Sequence, residues 1–369
     1  MKQPADAAIF HRAGAALEIR PLPVVLPPPA HARVQLVSSG ICGTDVHIWE
    51  GSLALTGPFI PGHEFLGRVE RMGDGDRLDC LGNALNIGEL VAVNVVEPCG
   101  DCVLCREGGD ASCLHLIETL TYTRSPAEPP HLHGGFAEVT ISPTRFLHRL
   151  PSSLPADVAS VFLCAGPTIV RAIRYHPGTL EGASVVVQGS GPVGLFAVLW
   201  AAHHGARVTM IGSSSHPLRP ELAVLFGAAD FLDIRSTDVP ARQRTIMEST
   251  NGIGADLVIE CSGSEHACPE GIGLLRPRGV YLLAGQYSDR GAVPIPVHAI
   301  TFSALQILGS AQFTAVDRQA YFDFLLTIPE LWPAIRQTVT HRFPVRQAEE
   351  ALRTVHAGDA IKALLEAQA

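Results

Sequence analysis

The fold is decided by residues 182–212, which read G-A-S-V-V-V-Q-G-S-G-P-V-G-L-F-A-V-L-W-A-A-H-H-G-A-R-V-T-M-I-G. The run at 185–188 is short, continuous and β-branched, which predicts a buried parallel strand. An apolar helical stretch continues to about residue 204, and the run at 207–211 predicts a second strand. This stretch therefore predicts a strand, a glycine-rich turn, a helix and another strand in succession.

Three glycines lie in the turn that joins the first strand to the helix. In this context a G-x-G-x-x-G spacing allows a tight turn, the close approach of a pyrophosphate and close packing of the helix. The N-terminus of the helix adds free N–H groups and a favourable dipole for phosphates. A glycine-rich turn with a purely structural role is the alternative interpretation. We expect the following residues to bind a dinucleotide: Gly189, Gly191, Pro192, Val193 and Gly194.

Two later runs, D-L-V-I-E-C at 256–261 and G-V-Y-L-L-A-G at 279–285, predict further strands of the same sheet. Together with the first two strands they predict an α/β domain over about residues 157–299, with a doubly wound parallel sheet of the Rossmann type. The remaining residues, 1–156 and 300–369, should form a second, mostly-β domain. The patterns that favour it are β-like runs at 34–38, 66–71, 91–96 and 137–141 and a helical pattern at 345–355.

Bulk composition excludes several classes of protein. The chain has 369 residues, of which 17% are charged and 47% are apolar, so two globular domains are expected. A net charge of −9 argues against nucleic acid or an anionic membrane as a partner. We see no secretory signal, and the longest apolar runs, such as 193–202, are too short to span a membrane. Nine cysteines without a signal favour a reducing compartment, the cytoplasm.

Four of the cysteines are clustered with the spacing C-x2-C-x2-C-x7-C. Two intervening residues let consecutive thiolates reach one ion from a tight turn, and nearby glycines let the backbone wrap it. Four thiolates leave no open coordination position, so such a zinc is structural. An iron–sulfur cluster also takes four cysteines, but this is not one of the common ferredoxin spacings. The predicted structural zinc ligands are Cys99, Cys102, Cys105 and Cys113.

A second group of soft and nitrogen ligands is scattered along the chain. Cys42 lies in S-S-G-I-C-G-T-D-V-H, His63 and Glu64 lie in I-P-G-H-E-F-L-G, and Cys164 lies in the apolar segment V-F-L-C-A-G-P-T. Each residue alone is a weak signal, because a single His or Cys is more often core or surface. Two thiolates and one imidazole with a water in the fourth position would make a catalytic zinc site.

Five features follow one another along the chain: the C-G-T-D-x-H segment, the G-H-E segment, the four-cysteine segment, Cys164 and the G-x-G-x-x-G turn. In this order they resemble the zinc-dependent alcohol dehydrogenases of the medium-chain dehydrogenase/reductase superfamily, over about residues 9–365. The resemblance implies a GroES-like β-barrel for the second, catalytic domain, and two zinc ions per chain. It also implies reversible hydride transfer between NAD(P)+ and a small-molecule alcohol, giving an aldehyde or ketone. A homodimer or homotetramer is implied as well.

The resemblance also implies roles for single residues. Cys42, His63 and Cys164 would hold a zinc that acts as a Lewis acid on the substrate oxygen. Thr44 and His47 would relay the proton, although a solvated surface histidine is the alternative for His47. Asp45 would hydrogen-bond His63, and Glu64 would either bind the zinc transiently or stand behind it. Lys362 matches a position that takes a basic residue near the cofactor phosphates.

The residues after the second strand bear on cofactor choice. A dehydrogenase that selects NAD usually ends this strand on Asp or Glu, which binds the ribose 2′-OH. Here the strand ends in Gly212, followed by three serines, His216 and Arg219. Small hydroxyls and basic groups could receive a 2′-phosphate, which favours NADP over NAD; a loop that tolerates both is the alternative. The candidate cofactor residues in this loop are Gly212, Ser213, Ser214 and Arg219.

The substrate is not determined by these patterns. Trp49 suggests an apolar or bulky alcohol, and aromatic core packing explains it equally well. Two other functions stay open. One is a zinc-free quinone reductase of the same superfamily, and the other is a non-catalytic, nucleotide-sensing relative.

Overall fold

The structure is a computed structural model that describes residues 3–94, 98–107, 112–116, 120, 123–286, 288–289 and 291–367. The chain divides into two compact units, which we call the catalytic unit (Met1–Cys164 with Phe313–Ala369) and the nucleotide unit (Ala165–Gln312). The predicted borders were 156/157 and 299/300. The nucleotide unit extends further at its C-terminal end because its sheet has a last strand at Gln306–Gly309.

The nucleotide unit contains one sheet of six parallel strands. In chain order the strands are β8 Ser184–Gln188, β9 Arg207–Gly212, β10 Ala228–Asp233, β11 Ala255–Glu260, β12 Leu275–Leu283 and β13 Gln306–Gly309. Their order in the sheet is β10-β9-β8-β11-β12-β13, the 3-2-1-4-5-6 arrangement of a Rossmann domain. The four strands predicted from sequence all lie in this sheet.

Helix α4 Ala165–Arg174 precedes the first strand of this sheet. The helices that connect its strands are α5 Pro192–His203, α6 Leu218–Leu225, α7 Val239–Ser249, α8 Ala267–Leu274 and α9 Val297–Phe302. The run Val185, Val186 and Val187 is fully buried at the centre of the sheet. A strand that is covered on both faces needs apolar side chains at every position, which explains why this run does not alternate.

The catalytic unit is mostly β in its N-terminal part. In chain order the strands are β1 Ala5–Ile9, β2 Glu18–Leu22, β3 His31–Gly40, β4 Phe65–Met72, β5 Leu90–Val93, β6 Val139–Pro143, β7 Leu147–Arg149, β14 Val339–Pro344 and β15 Lys362–Glu366. The main sheet has the order β14-β15-β3-β4-β5-β7, with β6 also paired to β3. Residues 95–96, the end of one predicted strand, lie outside the described residues.

The helices of the catalytic unit are α1 Gly43–Glu50, α2 Val103–Arg106, α3 Ala156–Ala159, α10 Ala315–Thr327, α11 Trp332–Gln337 and α12 Ala348–His356. The helical pattern predicted at 345–355 corresponds to a 3-10 turn, Val345–Gln347, followed by α12. Ala348, Ala351 and Leu352 on α12 are buried in a core shared with β1 and β15. Among the described helices, none is both long and apolar enough to cross a membrane.

Candidate active site and nucleotide-binding turn

Strand pairing in the catalytic unit brings distant residues together. β15, β3 and β4 are neighbours, and Ser39 on β3 is the register partner of both Phe65 on β4 and Leu365 on β15. The chain leaves β3 just before Cys42 and enters β4 just after Glu64. The end of β3, the start of β4 and the start of β15 are far apart in sequence, and they therefore meet at one end of these three neighbouring strands.

The four predicted ligands Cys42, His63, Glu64 and Cys164 form one cluster. One ligand atom of each residue lies within 4.8 Å of the ligand atoms of the other three. Two sulfurs, one imidazole nitrogen and one carboxylate oxygen are a donor set that suits zinc. All nine cysteines are free thiols in the structure, so no disulfide competes for these sulfurs. These residues fit a catalytic metal ion.

Asp45 links the first turn of α1 to the imidazole. Its Oδ2 accepts a hydrogen bond from the backbone N of Cys42 at 2.9 Å, and its own backbone N–H points to the Cys42 side chain, which closes a capping box. Its Oδ1 lies 3.3 Å from Nδ1 of His63. Asp45 is 2% exposed. The carboxylate thus orients the ring and fixes the end of the helix that carries Cys42.

The pKa values of the cluster residues are shifted in opposite directions, so a metal would have to displace protons from Cys164 and His63. A hydrogen bond from the Cys164 thiol lowers the pKa of Cys42 well below its ordinary value, although burial opposes this, and the same bond raises the pKa of Cys164. Burial alone would lower the pKa of His63, but the charge of Asp45 and its hydrogen bond raise it. Cys42 is therefore the thiolate of the pair before any metal binds.

Glu64 forms a buried ion pair with Lys362. Nζ of Lys362 lies 2.7 Å from each carboxylate oxygen, and each side chain is only 2% exposed. A Cβ at Gly40 would lie 2.5 Å from Oε2 of Glu64 and 2.6 Å from this Nζ, so only glycine leaves room for the pair. The resemblance implies that Lys362 lies near the cofactor phosphates; in the structure its ammonium group is buried against Glu64 and Ile41 O. No local sequence pattern predicts the need for glycine at position 40 or the pairing of Glu64 with Lys362.

The two predicted relay residues are on α1. Thr44 and His47 are three positions apart, so their side chains share one face of the helix, and both are half-buried. The Cys42 sulfur lies 3.8 Å from Oγ1 of Thr44. Trp49 packs on α12, where the guanidinium of Arg353 lies 5.1 Å from its ring. Core packing accounts for Trp49.

The four cysteines of the spaced motif also form one cluster, again with all four sulfurs within 4.8 Å. Sγ of Cys102 is 3.4 Å from that of Cys105, and Sγ of Cys99 is 4.0 Å from that of Cys105. In a tetrahedral zinc–thiolate site with bonds of about 2.3 Å the sulfurs are about 3.8 Å apart. Backbone N–H groups point at the sulfurs, for example from Cys99 to Cys113 at 3.3 Å. The cluster fits a closed structural metal site.

The nucleotide-binding turn in the other unit has the expected shape. A Cβ at Gly194 would lie 1.7 Å from Gly189 O, so α5 can pack against the turn only with glycine there. A Cβ at Gly191 would meet nothing within 4 Å, so the space above the turn is open. Pro192 is the first residue of α5, and no side chain caps this N-terminus. The free N–H groups and the open space fit a dinucleotide pyrophosphate.

The loop after β9 is held by two contacts. Oγ of Ser190, in the glycine turn, donates to Ser213 O and accepts from Ser213 N, both at 3.0 Å. Asp233 accepts hydrogen bonds from N and Oγ of Ser214. Arg219 lies in the first turn of α6 and is half-buried, and burial lowers its pKa. β9 itself ends on Gly212, without an acid; Asp233 was not predicted here, because it comes from the neighbouring strand β10.

Comparisons with known proteins agree with this architecture. Residues 28–152 match the alcohol dehydrogenase GroES-like domain, and residues 192–327 match the zinc-binding dehydrogenase domain. The chain is 32% identical to 5-exo-hydroxycamphor dehydrogenase of Pseudomonas putida over 352 residues, which is 94% of each protein. It is 27% identical to sorbitol dehydrogenase of Halalkalibacterium halodurans, over 95% of each.

A solved structure is similar over the whole chain. The alcohol dehydrogenase of Thermotoga maritima has a TM-score of 0.90 and 29% identity, and the match covers 99% of both chains. The predicted Rossmann and GroES-like domains are confirmed. The homologues are dehydrogenases that act on CH–OH groups, and this chain is an NAD(P)-dependent alcohol dehydrogenase. It belongs to the zinc-type alcohol dehydrogenase family of the medium-chain dehydrogenase/reductase superfamily.

Proposed function

We propose that this enzyme is a zinc-dependent dehydrogenase that reversibly transfers hydride between a small-molecule alcohol and NAD(P)+, giving an aldehyde or ketone. The observation that carries the proposal is the convergence of Cys42, His63, Glu64 and Cys164, whose ligand atoms lie within 4.8 Å of one another. A quinone reductase that works without zinc would have no use for two thiols and an imidazole at this spacing. A non-catalytic relative would not need them either.

Each residue of the cluster has a defined part in the proposal. Cys42, His63 and Cys164 would hold the zinc, which supplies Lewis-acid polarisation of the substrate oxygen when bound. Asp45 keeps the His63 ring in place through the 3.3 Å contact with Nδ1. Glu64 stands within ligand distance, and Lys362 neutralises its charge. Glu64 can thus act as an alternative ligand without adding a net negative charge.

Proton release is assigned to α1. The Thr44 hydroxyl lies beside the Cys42 sulfur and would take the proton of the substrate hydroxyl while it passes its own proton on. His47 is half-buried on the same helix face, so it can exchange the proton with solvent. A bound nicotinamide would supply the hydride chemistry, and the residues of this chain would bind and orient it.

A second zinc is proposed for Cys99, Cys102, Cys105 and Cys113, which makes two zinc ions per chain. Four thiolates leave no position for a substrate, so this zinc would hold the surrounding loop together. Backbone N–H groups of Cys105 and Leu114 lower the pKa of Cys102 to about 6, which favours the thiolate form. Nine free thiols suit the reducing cytoplasm, where we place the enzyme.

For the cofactor we propose that NADP is preferred over NAD. β9 ends on Gly212, which brings no carboxylate to the ribose 2′ position. The turn at 213–215 supplies the hydroxyls of Ser213 and Ser215, and Arg219 follows in the first turn of α6. These groups favour a 2′-phosphate over a bare hydroxyl.

A homodimer or homotetramer is also proposed. Strand β13 is at the edge of the six-stranded sheet, and within the described residues it pairs only with β12. Near it in sequence, Phe302 is 83% exposed and Val297 is 63% exposed. An unpaired strand edge and large exposed apolar side chains are typical of a surface that another subunit covers.

Cys164→Ser tests the catalytic zinc. The variant should lose the catalytic zinc and at least 100-fold in kcat/KM while it keeps the structural zinc. Cys80→Ser is the matched control, because Cys80 is a free thiol of the same unit outside both clusters. Zinc per chain is measured by mass spectrometry, and turnover is measured with NAD and NADP. The alcohol panel includes bicyclic secondary alcohols, prompted by the hydroxycamphor relative, and polyols, prompted by the sorbitol relative.

The outcomes separate the candidate functions. About two zinc ions in the parent and about one in Cys164→Ser support the proposal. Full activity of a zinc-free parent with quinones or enones would indicate the reductase instead. No turnover with any alcohol or carbonyl, despite cofactor binding, would favour the nucleotide-sensing relative.

A further inference from the structure

The carboxylate of Asp233, on strand β10, lies beside the end of β9. At the end of this strand, dehydrogenases that select NAD usually carry an acid. Asp233 is the last residue of β10, and its register partner in the parallel β9–β10 pair is Gly212. The backbone N of Ile234 donates to Gly212 O at 2.9 Å, so the two chains stay paired up to this point. Neighbouring strands are about 4.8 Å apart. Asp233 therefore lies at the end of β10, one strand away from the end of β9, where NAD-selective dehydrogenases usually carry an acid.

Asp233 also holds the loop that would surround the ribose. Oδ1 accepts from the backbone N of Ser214 at 3.2 Å and from that of Arg235 at 3.0 Å, and Oδ2 accepts from Oγ of Ser214 at 2.5 Å. Burial by itself raises the pKa of this half-buried carboxyl, but these hydrogen bonds outweigh it and lower the pKa. Asp233 is thus an anion at neutral pH that touches the serine turn.

We propose that Asp233 is a specificity-determining residue that limits the preference for NADP. This inference rests on the proposed cofactor site. Gly212 opens the 2′ position to a phosphate, and the charge of Asp233 one strand away repels that phosphate while leaving a 2′-hydroxyl unaffected. The parent should therefore discriminate only moderately between the two coenzymes, and the selectivity should change when this charge is removed.

Asp233→Asn is the test variant, because the amide keeps the shape of the side chain and the Oδ1 acceptor for the two backbone N–H groups. We expect the ratio of Kd(NADH) to Kd(NADPH) to rise about tenfold at low salt, the size of effect that one unit charge exerts at this range. The gain should shrink as salt is added, since the interaction is partly exposed. Binding is measured without substrate, by the fluorescence of the reduced coenzymes.

Two further variants separate charge from geometry. Asp230→Asn is the matched control, because Asp230 is on the same strand, has a side chain that is 40% exposed and pairs with Arg207 at 3.3 Å, away from the strand end. It should leave the ratio unchanged. Ser214→Ala removes the hydroxyl contact but keeps the charge of Asp233, so it should not raise the ratio. Inserting an acid at Gly212 would be ambiguous, because a Cβ there would lie 2.5 Å from Cβ of Ser190.

The role of Asp233 and the proposed NADP preference can be refuted separately. The inference is overturned if Asp233→Asn binds both reduced coenzymes with the parental ratio, even when the parent is an active NADP enzyme. A parent that strongly prefers NADH refutes the NADP preference, and the variant's ratio then still decides the role of Asp233. A parent that binds neither coenzyme refutes both. As a probe of the phosphate itself, adenosine 2′,5′-bisphosphate should gain affinity in Asp233→Asn and 5′-AMP should not.

Discussion

Replacing Lys362 by Met would leave the carboxylate of Glu64 buried without its partner. Both oxygens of Glu64 lie 2.7 Å from Nζ, and each side chain is 2% exposed, so water cannot take over the role of the ammonium group. Breaking a buried pair from one side costs roughly 3–5 kcal/mol. For a unit of this size, that loss lowers Tm by roughly 10 °C.

The assay is urea unfolding of the zinc-loaded enzyme, with zinc content measured in parallel. Glu64→Gln/Lys362→Met removes both charges, so it should recover most of the free energy of unfolding lost in Lys362→Met. Arg342→Met is the matched control on the same sheet, because its ion pair with Glu366 is exposed and should contribute less than about 1 kcal/mol. If Lys362→Met unfolds within about 1 kcal/mol of the parent, or if the double variant is no more stable than the single one, the pair does not stabilise the site as argued.

Two other expectations concern stability. Cys102→Ser should lower Tm and release one zinc, because binding of the metal by the four thiolates is part of the folding free energy. A variant that melts like the parent would mean that this cluster is not a folding element. The other expectation concerns His148, whose pKa is lowered to about 4 by burial and, to a smaller extent, by the charge of Arg318. Between about pH 4 and 6.5 the folded state therefore binds fewer protons than the unfolded state. As a result, the free energy of unfolding rises with pH over this range. His148→Asn should reduce the stability difference between pH 7 and pH 5 by about 2 kcal/mol in urea unfolding, and an unchanged difference would show that His148 does not cause it.

Much of the nucleotide unit was predictable because its signals are local. A buried parallel strand is an unbroken apolar run, and a glycine turn followed by a helix is a short pattern, so the strands at 184–188 and 207–212 were located within one or two residues. The cysteine spacing was equally local, since two intervening residues suffice to bring Cys102 and Cys105 to 3.4 Å. The borders between the units were less accurate, because the edge strand β13 is short and only partly buried.

The arrangement of charges was decided by the tertiary structure. Sequence motifs named Cys42, His63, Glu64 and Cys164 as ligands, but only the neighbouring β15, β3 and β4 explain why three of these residues and Lys362 meet. The pairing of Lys362 with Glu64 and the contact of Asp233 with the serine turn were not predicted. Both omissions have one physical cause: long-range pairing decides which strands are neighbours, and the periodicity within a strand carries no information about its neighbour. By itself the sequence determined the family, the strands and the metal-binding motifs, whereas strand pairing determined which buried charges face each other.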